Sequence, residues 1–327
     1  MDPISQAVVG ATLTQAVTEK KNSQIIACLA GALAGMAADI DVLFRSQTDP
    51  LMFLEFHRQF THSFLFIPVG GLLCALLLYP FLKKKISFAR LFLFSCLGYG
   101  THGLLDACTS YGTQLFWPFS DVRIAWDIIS VVDPLFTLPV LILILLGAVK
   151  NKRFFARAAL MYLVCYLFLG QIQHNRALIA VANIANERGH ITERITVKPT
   201  FGNLLMWKLI YEHDGFYYVD AVRLGIEPVY FPGESLAKLS PVSTSELSPV
   251  QSRDVERFRW FSDGYIALSP DDHSLIGDIR YSMLPNSIDP LWAIRLNPKQ
   301  PEQHVDYVVL RKLSAEKRSA LLAMLFE

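Results

Sequence analysis

Long apolar stretches dominate the first half of the chain. The stretch from Phe64 to Leu82 contains no charged residue and is followed directly by lysines at residues 83–85. Because about 20 apolar residues are needed to cross a bilayer, this stretch predicts a membrane-spanning helix. Similar stretches predict helices at about residues 25–44, 91–108, 135–149 and 158–172, and one at about 7–17 is too short to cross alone.

The hydrophobic pattern changes after Arg176. Residues 207–211 and 216–219 alternate between faces and flank a Glu-His-Asp-Gly turn, which is typical of a β-hairpin. Further strands are predicted near residues 265–268, 279–281, 292–295 and 307–310, and a terminal helix over 315–326. The sequence therefore predicts an α-helical polytopic membrane domain of five to six helices, residues 1–175, followed by a mostly β extramembrane domain, residues 176–327.

The composition indicates which kinds of partner the protein can bind. Apolar side chains make up 52% of the 327 residues, charged side chains make up 18%, and the formal net charge is +1. This balance excludes a disordered chain and a chain that coats nucleic acid. We expect the lipid bilayer as a partner and no nucleic acid.

Basic residues predict the orientation of the helices. Three short connections are rich in Lys and Arg: one at Lys20 and Lys21, one at residues 83–90 and one at residues 150–157. Such connections stay in the cytoplasm. Connections 45–63 and 109–134, and the whole domain 176–327, are then predicted on the outer face.

Acidic and imidazole side chains are predicted to collect at the outer end of the helices. Ionisable groups at membrane depth are costly, so a group of them marks a functional centre. The residues are Asp39 and Asp41 after the second apolar stretch, His57, Arg58 and His62 before the third, His102 and Asp106 near the end of the fourth, and Asp127 and Asp133 before the fifth.

The spacing of these residues indicates metal binding. His102 and Asp106 are four residues apart and share one face of a helix. His57 and His62 more plausibly bracket a turn, with Thr61 capping the helix that follows. Mixed imidazole and carboxylate ligands favour Zn²⁺, with Mn²⁺ or Fe²⁺ as alternatives, over Ca²⁺. We predict one or two ions held by Asp39, Asp41, His57, His62, His102 and Asp106.

The remaining polar residues of this group are predicted to have catalytic roles. Arg58 can hold a phosphate through its fork of donors, or anchor the chain at the membrane interface. Asp127 or Asp133 can act as a base or orient a reactant, although Asp133 before Pro134 also fits a helix N-cap. Because a bound metal generates hydroxide and polarises phosphoryl oxygens, the predicted substrate is a phosphoester.

Ordered motifs in the first 175 residues carry a family resemblance. The motifs are Met1-Asp2-Pro3, the stretch from Gly31 to Asp41 ending in Ala-Asp-Ile-Asp, His57-Arg58-x-x-Thr61-His62-Ser63, Thr101-His102-x-x-x-Asp106-x-x-Thr109-Ser110-Tyr111-Gly112 and Asp133-Pro134-Leu135. This set resembles the YdjM-like family of bacterial inner-membrane metal-dependent hydrolases, also called the LexA-binding family. No contact with LexA is predicted, because nothing in the chain resembles a repressor-binding surface.

The resemblance implies a multi-pass protein of the bacterial inner membrane, whose C-terminal domain is then periplasmic by the charge argument. It also implies metal ligation at seven positions: Asp39, Asp41, His57, His62, His102, Asp106 and Asp133. Many members carry Thr-His where this chain has Ser5-Gln6. That departure removes one family ligand, and Gln6 can still hold a water there.

Two functions are compatible with these observations. The favoured hypothesis is a membrane-embedded metal-dependent hydrolase of a phosphoester that is lipid-linked. The alternative is a non-enzymatic, metal-stabilised membrane anchor that displays an envelope-binding β domain. A transporter is less favoured, because the polar residues stay at one boundary instead of tracing a path across the bilayer.

Overall fold

The computed structural model describes residues 1–18, 23–240, 247–311 and 314–326. The basic connection predicted at Lys20 and Lys21 lies outside the described residues. The helices are α1 (Pro3–Val17), α2 (Gln24–Met36), α3 (Met52–Phe56), α4 (Ile67–Leu82), α5 (Phe88–Ala107), α6 (Pro134–Lys150), α7 (Arg153–Glu187), α8 (Pro249–Phe261) and α9 (Ala315–Phe326). Short 3-10 helices cover Ala37–Leu43, Phe60–His62 and Phe64–Phe66.

The chain divides into two compact units. The first comprises Met1–Leu43, Phe56–Ile172 and Phe201–Asn203, and the second comprises Phe44–Glu55, Gln173–Thr200 and Leu204–Glu327. Segment 44–55 thus leaves the helical unit, takes part in the second unit, and returns to the first.

Local signals in the sequence start the helices of the first unit. The Asp2 carboxylate accepts hydrogen bonds from the N–H groups of Ile4 and Ser5, with Pro3 in the first turn of α1. Asp133 does the same for α6, where Pro134 opens the helix. Both helices therefore begin at an Asp-Pro pair.

Glycines let three of these helices approach closely. A side chain at Gly31 on α2 would meet the carbonyl oxygen of Gly10 on α1 at 2.4 Å, and one at Gly98 on α5 would meet the carbonyl oxygen of Gly31 at 2.5 Å. Small residues at helix crossings are the usual solution in membranes, where close backbone packing holds helices together. Helices α2 and α5 therefore pack closely where they cross.

Three stretches of the described residues are long and apolar enough to cross a membrane: Gln24–Leu43, Phe64–Leu82 and Arg153–Glu187. Helix α6 is apolar but shorter. Helix α5 has sufficient length but carries His102 and Asp106, and is not among the three. The predicted fold class, a helical membrane region followed by a mostly β region, is confirmed.

Two four-stranded antiparallel sheets form most of the second unit. The first sheet has the order β1 (Arg194–Pro199), β2 (Met206–His213), β3 (Phe216–Leu224) and β4 (Pro228–Ala237). The second has the order β5 (Ile266–Leu268), β6 (Leu275–Asp278), β7 (Trp292–Arg295) and β8 (Asp306–Val309).

The predicted hairpin at residues 207–219 is confirmed. Asp214 and Gly215 both have positive φ, as a tight primed turn requires. The strand predicted at residues 279–281 is wrong, because β6 covers Leu275–Asp278 and residues 279–281 are not in a strand.

The first sheet of the second unit is covered on both faces. One face packs against the later turns of α7, where Ala177 and Val181 contact Trp207 and Val222. The other face contributes Ile210 and Tyr217 to a cluster with Tyr265 and Ile279. Strands β2 and β3 are buried nearly throughout for this reason.

Candidate metal centre

The end of α2 places two carboxylates at the site. The α-helix stops at Met36 and continues as a tighter 3-10 helix over Ala37–Leu43. In a regular α-helix, side chains two residues apart diverge. Here Asp39 Oδ1 lies 3.2 Å from His102 Nε2, while Asp41 Oδ1 lies 2.8 Å from His57 Nδ1.

A turn before α4 supplies the second group of side chains. Arg58 has a φ of 66°, in the left-handed region, so the chain reverses between His57 and the 3-10 helix Phe60–His62. The reversal brings both imidazole rings to the Asp41 carboxylate. The prediction that His57 and His62 bracket a turn is confirmed.

Helix α5 supplies the third group. His102 and Asp106 are one turn apart, and His102 Nε2 lies 3.8 Å from Asp106 Oδ2. Both side chains are completely buried. The prediction that they share one helix face is confirmed.

Four side-chain atoms from these elements surround one point. Atoms from Asp39, His62, His102 and Asp106 all lie within 4.8 Å of one another. His62 Nε2 is 3.5 Å from Asp39 Oδ1 and 3.3 Å from Asp106 Oδ2. Four tetrahedral ligands at about 2.0–2.1 Å from Zn²⁺ would be about 3.3 Å apart, so the observed separations suit one small cation.

Hydrogen bonds on the far side of each ring fix its orientation. His102 Nδ1 lies 2.5 Å from the carbonyl oxygen of Gly35, to which it must donate. His62 Nδ1 lies 2.9 Å from Thr61 Oγ1 and 3.2 Å from Asp41 Oδ2. With a metal bound, each ring would keep its proton on Nδ1 and turn the lone pair of Nε2 to the shared point, as in metal-bound histidines.

The facing atoms are all electron-pair donors. Nε2 of His62 and Oδ2 of Asp106 are buried and have no hydrogen-bond partner within the described part of the chain. These imidazole nitrogens and carboxylate oxygens face each other at 3.2–3.8 Å, so positive charge between them is favourable, whether an imidazole proton or a metal ion supplies it. This cluster can hold a metal ion.

The pKa of His62 also shows that positive charge is favoured at this point. Burial by itself lowers the pKa of His62, but the carboxylates of Asp106, Asp39 and Asp41 outweigh burial and raise it to about 10. His57 differs: burial lowers its pKa, and the hydrogen bond with Asp41 offsets this only in part. The His57 ring is therefore neutral at pH 7.

A second group of potential ligands comprises Asp39, Asp41 and His57. In this group the atoms already have partners. Asp41 Oδ2 accepts the Thr61 hydroxyl at 2.7 Å and the Arg58 N–H at 3.1 Å, and Asp41 Oδ1 bonds to His57. Asp41 thus holds the residues around it, whereas in the first group His62 Nε2 makes no hydrogen bond among the described residues.

Arg58 is buried beside the cluster. Its Nε lies 3.1 Å from Asp106 Oδ2, its Nη1 donates to Thr109 Oγ1 at 3.2 Å, and its guanidinium lies over the Tyr111 ring. The charge of Arg58 therefore sits next to the point that the four ligand atoms share. Such a place suits an anion held near a cation.

The two other predicted catalytic residues lie in neither group of potential ligands. Asp133 caps α6 and also accepts the Tyr166 hydroxyl at 2.7 Å. Asp127 is buried with a φ of 56°. Their predicted catalytic roles stay predictions.

Sequence reasoning missed the residues that orient the rings. Thr61 does not cap a helix as predicted, because its hydroxyl donates to Asp41. The Gly35 carbonyl is a backbone group, so its contact with His102 cannot be predicted from the residue type. Gln6 Nε2 donates to Asp106 Oδ1 at 2.9 Å, beside a contact from the amino group of Met1. Gln6 thus lies next to the cluster, as its position in the family motif implies.

The fold and the site define a membrane protein whose helical unit carries a His/Asp cluster able to hold a metal ion. The chain belongs to the YdjM inner membrane protein family, whose model matches residues 1–177. The family resemblance is therefore confirmed, and the protein is an inner membrane protein.

The chain is also similar to an uncharacterized protein, YfhP, of Bacillus subtilis (strain 168). The two are 32% identical over 110 residues, which is 34% of this chain and 32% of YfhP. The similarity thus spans about a third of the length of that relative. No solved structure matches the chain significantly.

Proposed function

We propose that the protein is a membrane-embedded metal-dependent hydrolase that acts on a phosphoester carried by a lipid. The observation that carries the proposal is the convergence of four potential ligand atoms, from Asp39, His62, His102 and Asp106, which all lie within 4.8 Å of one another. Two imidazoles and two carboxylates favour Zn²⁺, and Mn²⁺ or Fe²⁺ come next.

Each residue near the cluster has a role in this proposal. His62 and His102 bind the metal through Nε2, held by Asp41 and by the Gly35 carbonyl. Arg58 balances the charge of Asp106 and attracts a phosphoryl oxygen. Asp41 and His57, predicted as ligands, orient the first group and are the ligands of a second ion if one binds.

A Zn²⁺ bound at these residues would supply a water of pKa about 7 and would polarise the phosphoryl oxygen. The protein residues then have to position the ester and accept a proton. Asp39 is suited to positioning the ester, because its side chain is 24% exposed while those of His62, His102 and Asp106 are buried, and a water would then take the fourth metal position, which a catalytic site leaves open. A substrate would approach from the side of Asp39.

The exposure of Asp39 also distinguishes the hydrolase from the alternative, a metal-stabilised membrane anchor. A metal-stabilised anchor needs a closed site with all four positions filled by protein. Burial of His62, His102 and Asp106 fits that case, and the exposed edge at Asp39 supports an open one. The lipid-linked nature of the substrate is supported by the apolar neighbours Ile40 and Leu43, which are 62% and 75% exposed.

Metal content and phosphate release from the purified full-length protein test the proposal. We expect bound metal in the wild type, and binding at least about 100-fold weaker in His62→Ala and His102→Ala. His273→Ala, an exposed histidine of the second unit, is the matched control and should keep the metal. Chelation should stop phosphate release from lipid phosphoesters, and Zn²⁺ should restore it.

Two outcomes contradict the proposal in different ways. Full metal occupancy in both ligand variants means that the ligands are misassigned. Metal bound as expected, with no release from any phosphoester, rejects the hydrolase and favours the structural anchor.

A further inference from the structure

The connection between α5 and α6 exposes several large apolar side chains in one short stretch. Phe116, Phe119, Val122 and Trp126 are 52%, 85%, 61% and 45% exposed. Exposed apolar side chains that cluster in this way mark an interaction surface. We call residues 116–126 the aromatic loop.

The aromatic loop is attached to the start of a membrane-spanning stretch. The rings of Phe64 and Phe116 pack edge to face with their centroids 5.6 Å apart. The N–H of Phe64 donates to the Leu115 carbonyl at 2.9 Å. Because Phe64 is the first residue of the span Phe64–Leu82, the aromatic loop begins where that span begins.

The C-terminal end of the aromatic loop is fixed near the start of the same span. The N–H of Trp126 donates at 2.7 Å to the carbonyl of Ala107, the last residue of α5. Reciprocal backbone hydrogen bonds of 2.9 Å between Thr113 and Ile124 close the connection. Helices α4 and α5 pack against each other and are joined by a short turn, so the start of α4 and the end of α5 are neighbours.

The polar residues of the loop complete the pattern of a membrane interface. Asp121 is exposed, and the Arg123 guanidinium donates to the carbonyls of Tyr111 and Gly112. Aromatic rings interspersed with charges are enriched at the boundary between acyl chains and headgroups. The loop is also continuous with the lipid-facing side chains of the span, where Leu65 is 54% exposed.

We propose that the aromatic loop inserts into the interface of the membrane that holds the protein, with Phe116, Phe119, Val122 and Trp126 among the outer ends of the acyl chains. Side chains of this kind reach about 5–10 Å into the boundary region. The occupant of the exposed surface is the lipid bilayer itself.

The insertion fixes the depth of the metal centre. The N–H of Gln114 donates at 2.9 Å to the carbonyl of Arg58, which pairs with Asp106. The ligand cluster is thereby tied to a loop at headgroup level. A phosphate in a lipid headgroup would lie at the depth of the cluster, whereas the insertion itself does not depend on any enzymatic activity.

Quenching of tryptophan fluorescence by brominated lipids tests the insertion. The full-length protein is reconstituted into phosphatidylglycerol and phosphatidylethanolamine vesicles with bromine near the carbonyl end or near the methyl end of the acyl chains. We expect stronger quenching by the shallow bromine. Trp126→Phe should remove about half of the quenched intensity, because Trp117 shares the loop.

A matched control and a second variant make the outcome decisive. Trp260→Phe removes a tryptophan of α8 that is 37% exposed and should leave the quenched intensity unchanged. Phe119→Trp should increase it. The proposal is overturned if Trp126→Phe and Phe119→Trp both leave lipid quenching unchanged, or if acrylamide quenches Trp126 as strongly in vesicles as in unfolded protein.

Discussion

Lys208 on β2 has an environment that a lysine rarely occupies. Its side chain is buried, and its ammonium donates to Ser282 Oγ at 2.7 Å and to the Ser287 carbonyl at 2.6 Å. Burial lowers the pKa of Lys208 from 10.5 to about 7, although nearby carboxylates, Asp278 first among them, raise it in part. The sequence pattern of β2 gives no warning of this.

The lowered pKa predicts how the stability of the second unit depends on pH. Between about pH 7 and 10.5 the unfolded chain holds a proton on Lys208 that the folded protein has released. Raising the pH therefore favours the folded state, by at most about 1.4 kcal/mol per pH unit. Below pH 7 both states are protonated and the contribution of Lys208 no longer changes.

Denaturant unfolding of the full-length protein at pH 7 and pH 9 measures this dependence, with tryptophan fluorescence as the probe. Lys208→Met should lose the rise in the free energy of unfolding that the wild type shows. An equal rise in the two proteins would mean that other groups cause it.

At the scale of elements, segment 44–55 is tied to the rest of the second unit by Arg257 and by an edge-to-face contact between the rings of Phe53 and Tyr307. Arg257 on α8 forms two hydrogen bonds of 2.8 and 2.9 Å with the Asp49 carboxylate. It also donates to Glu55 at 2.6 Å and to Asp254 at 3.1 Å. Leu51 and Leu54 of the segment are buried in addition.

We expect Arg257→Ala to lower the free energy of unfolding of the second unit by about 2–3 kcal/mol, because it leaves partly buried carboxylates unpaired. Arg259→Ala is the matched control on the same helix, since its pair with Glu256 is at the surface and should contribute less than about 1 kcal/mol. Limited proteolysis should show cleavage within residues 44–55 in Arg257→Ala alone. Equal stability of the two variants would show that other contacts, such as that between Phe53 and Tyr307, hold the segment.

The elements themselves differ in how far sequence predicts them. The length of the apolar stretch predicted α4. The four-residue spacing of His102 and Asp106 was enough to predict that they share one face of a helix. Segment 44–55 could not be assigned, because its docking depends on an arginine some two hundred positions later in the chain. The roles of Thr61 and the Gly35 carbonyl were likewise hidden, since they arise from contacts between helices.

At the scale of the whole molecule, the distribution of Lys and Arg predicts the orientation in the membrane. The connections at residues 83–90 and 150–157 are basic and are expected in the cytoplasm. The second unit is then expected in the periplasm. Alkaline phosphatase fused after the last residue should be active, and a green fluorescent protein in the same place should stay dark.

The reverse result, a fluorescent fusion with inactive phosphatase, would place the second unit in the cytoplasm. The metal cluster would then face the cytoplasm as well, because Asp39 and His62 lie at the ends of spans that border segment 44–55. A fusion after residue 85 is the control and should give the cytoplasmic signal.

The discontinuous second unit has a consequence for synthesis and for dissection of the protein. The ribosome delivers segment 44–55 long before α8 and β8, so Asp49 stays without Arg257 and Phe53 stays without Tyr307 while the later helices are made. A chain cut after Ile172 could never form these contacts and would tend to aggregate. Splitting the gene where the composition changes would therefore separate segment 44–55 from the rest of the unit to which it belongs.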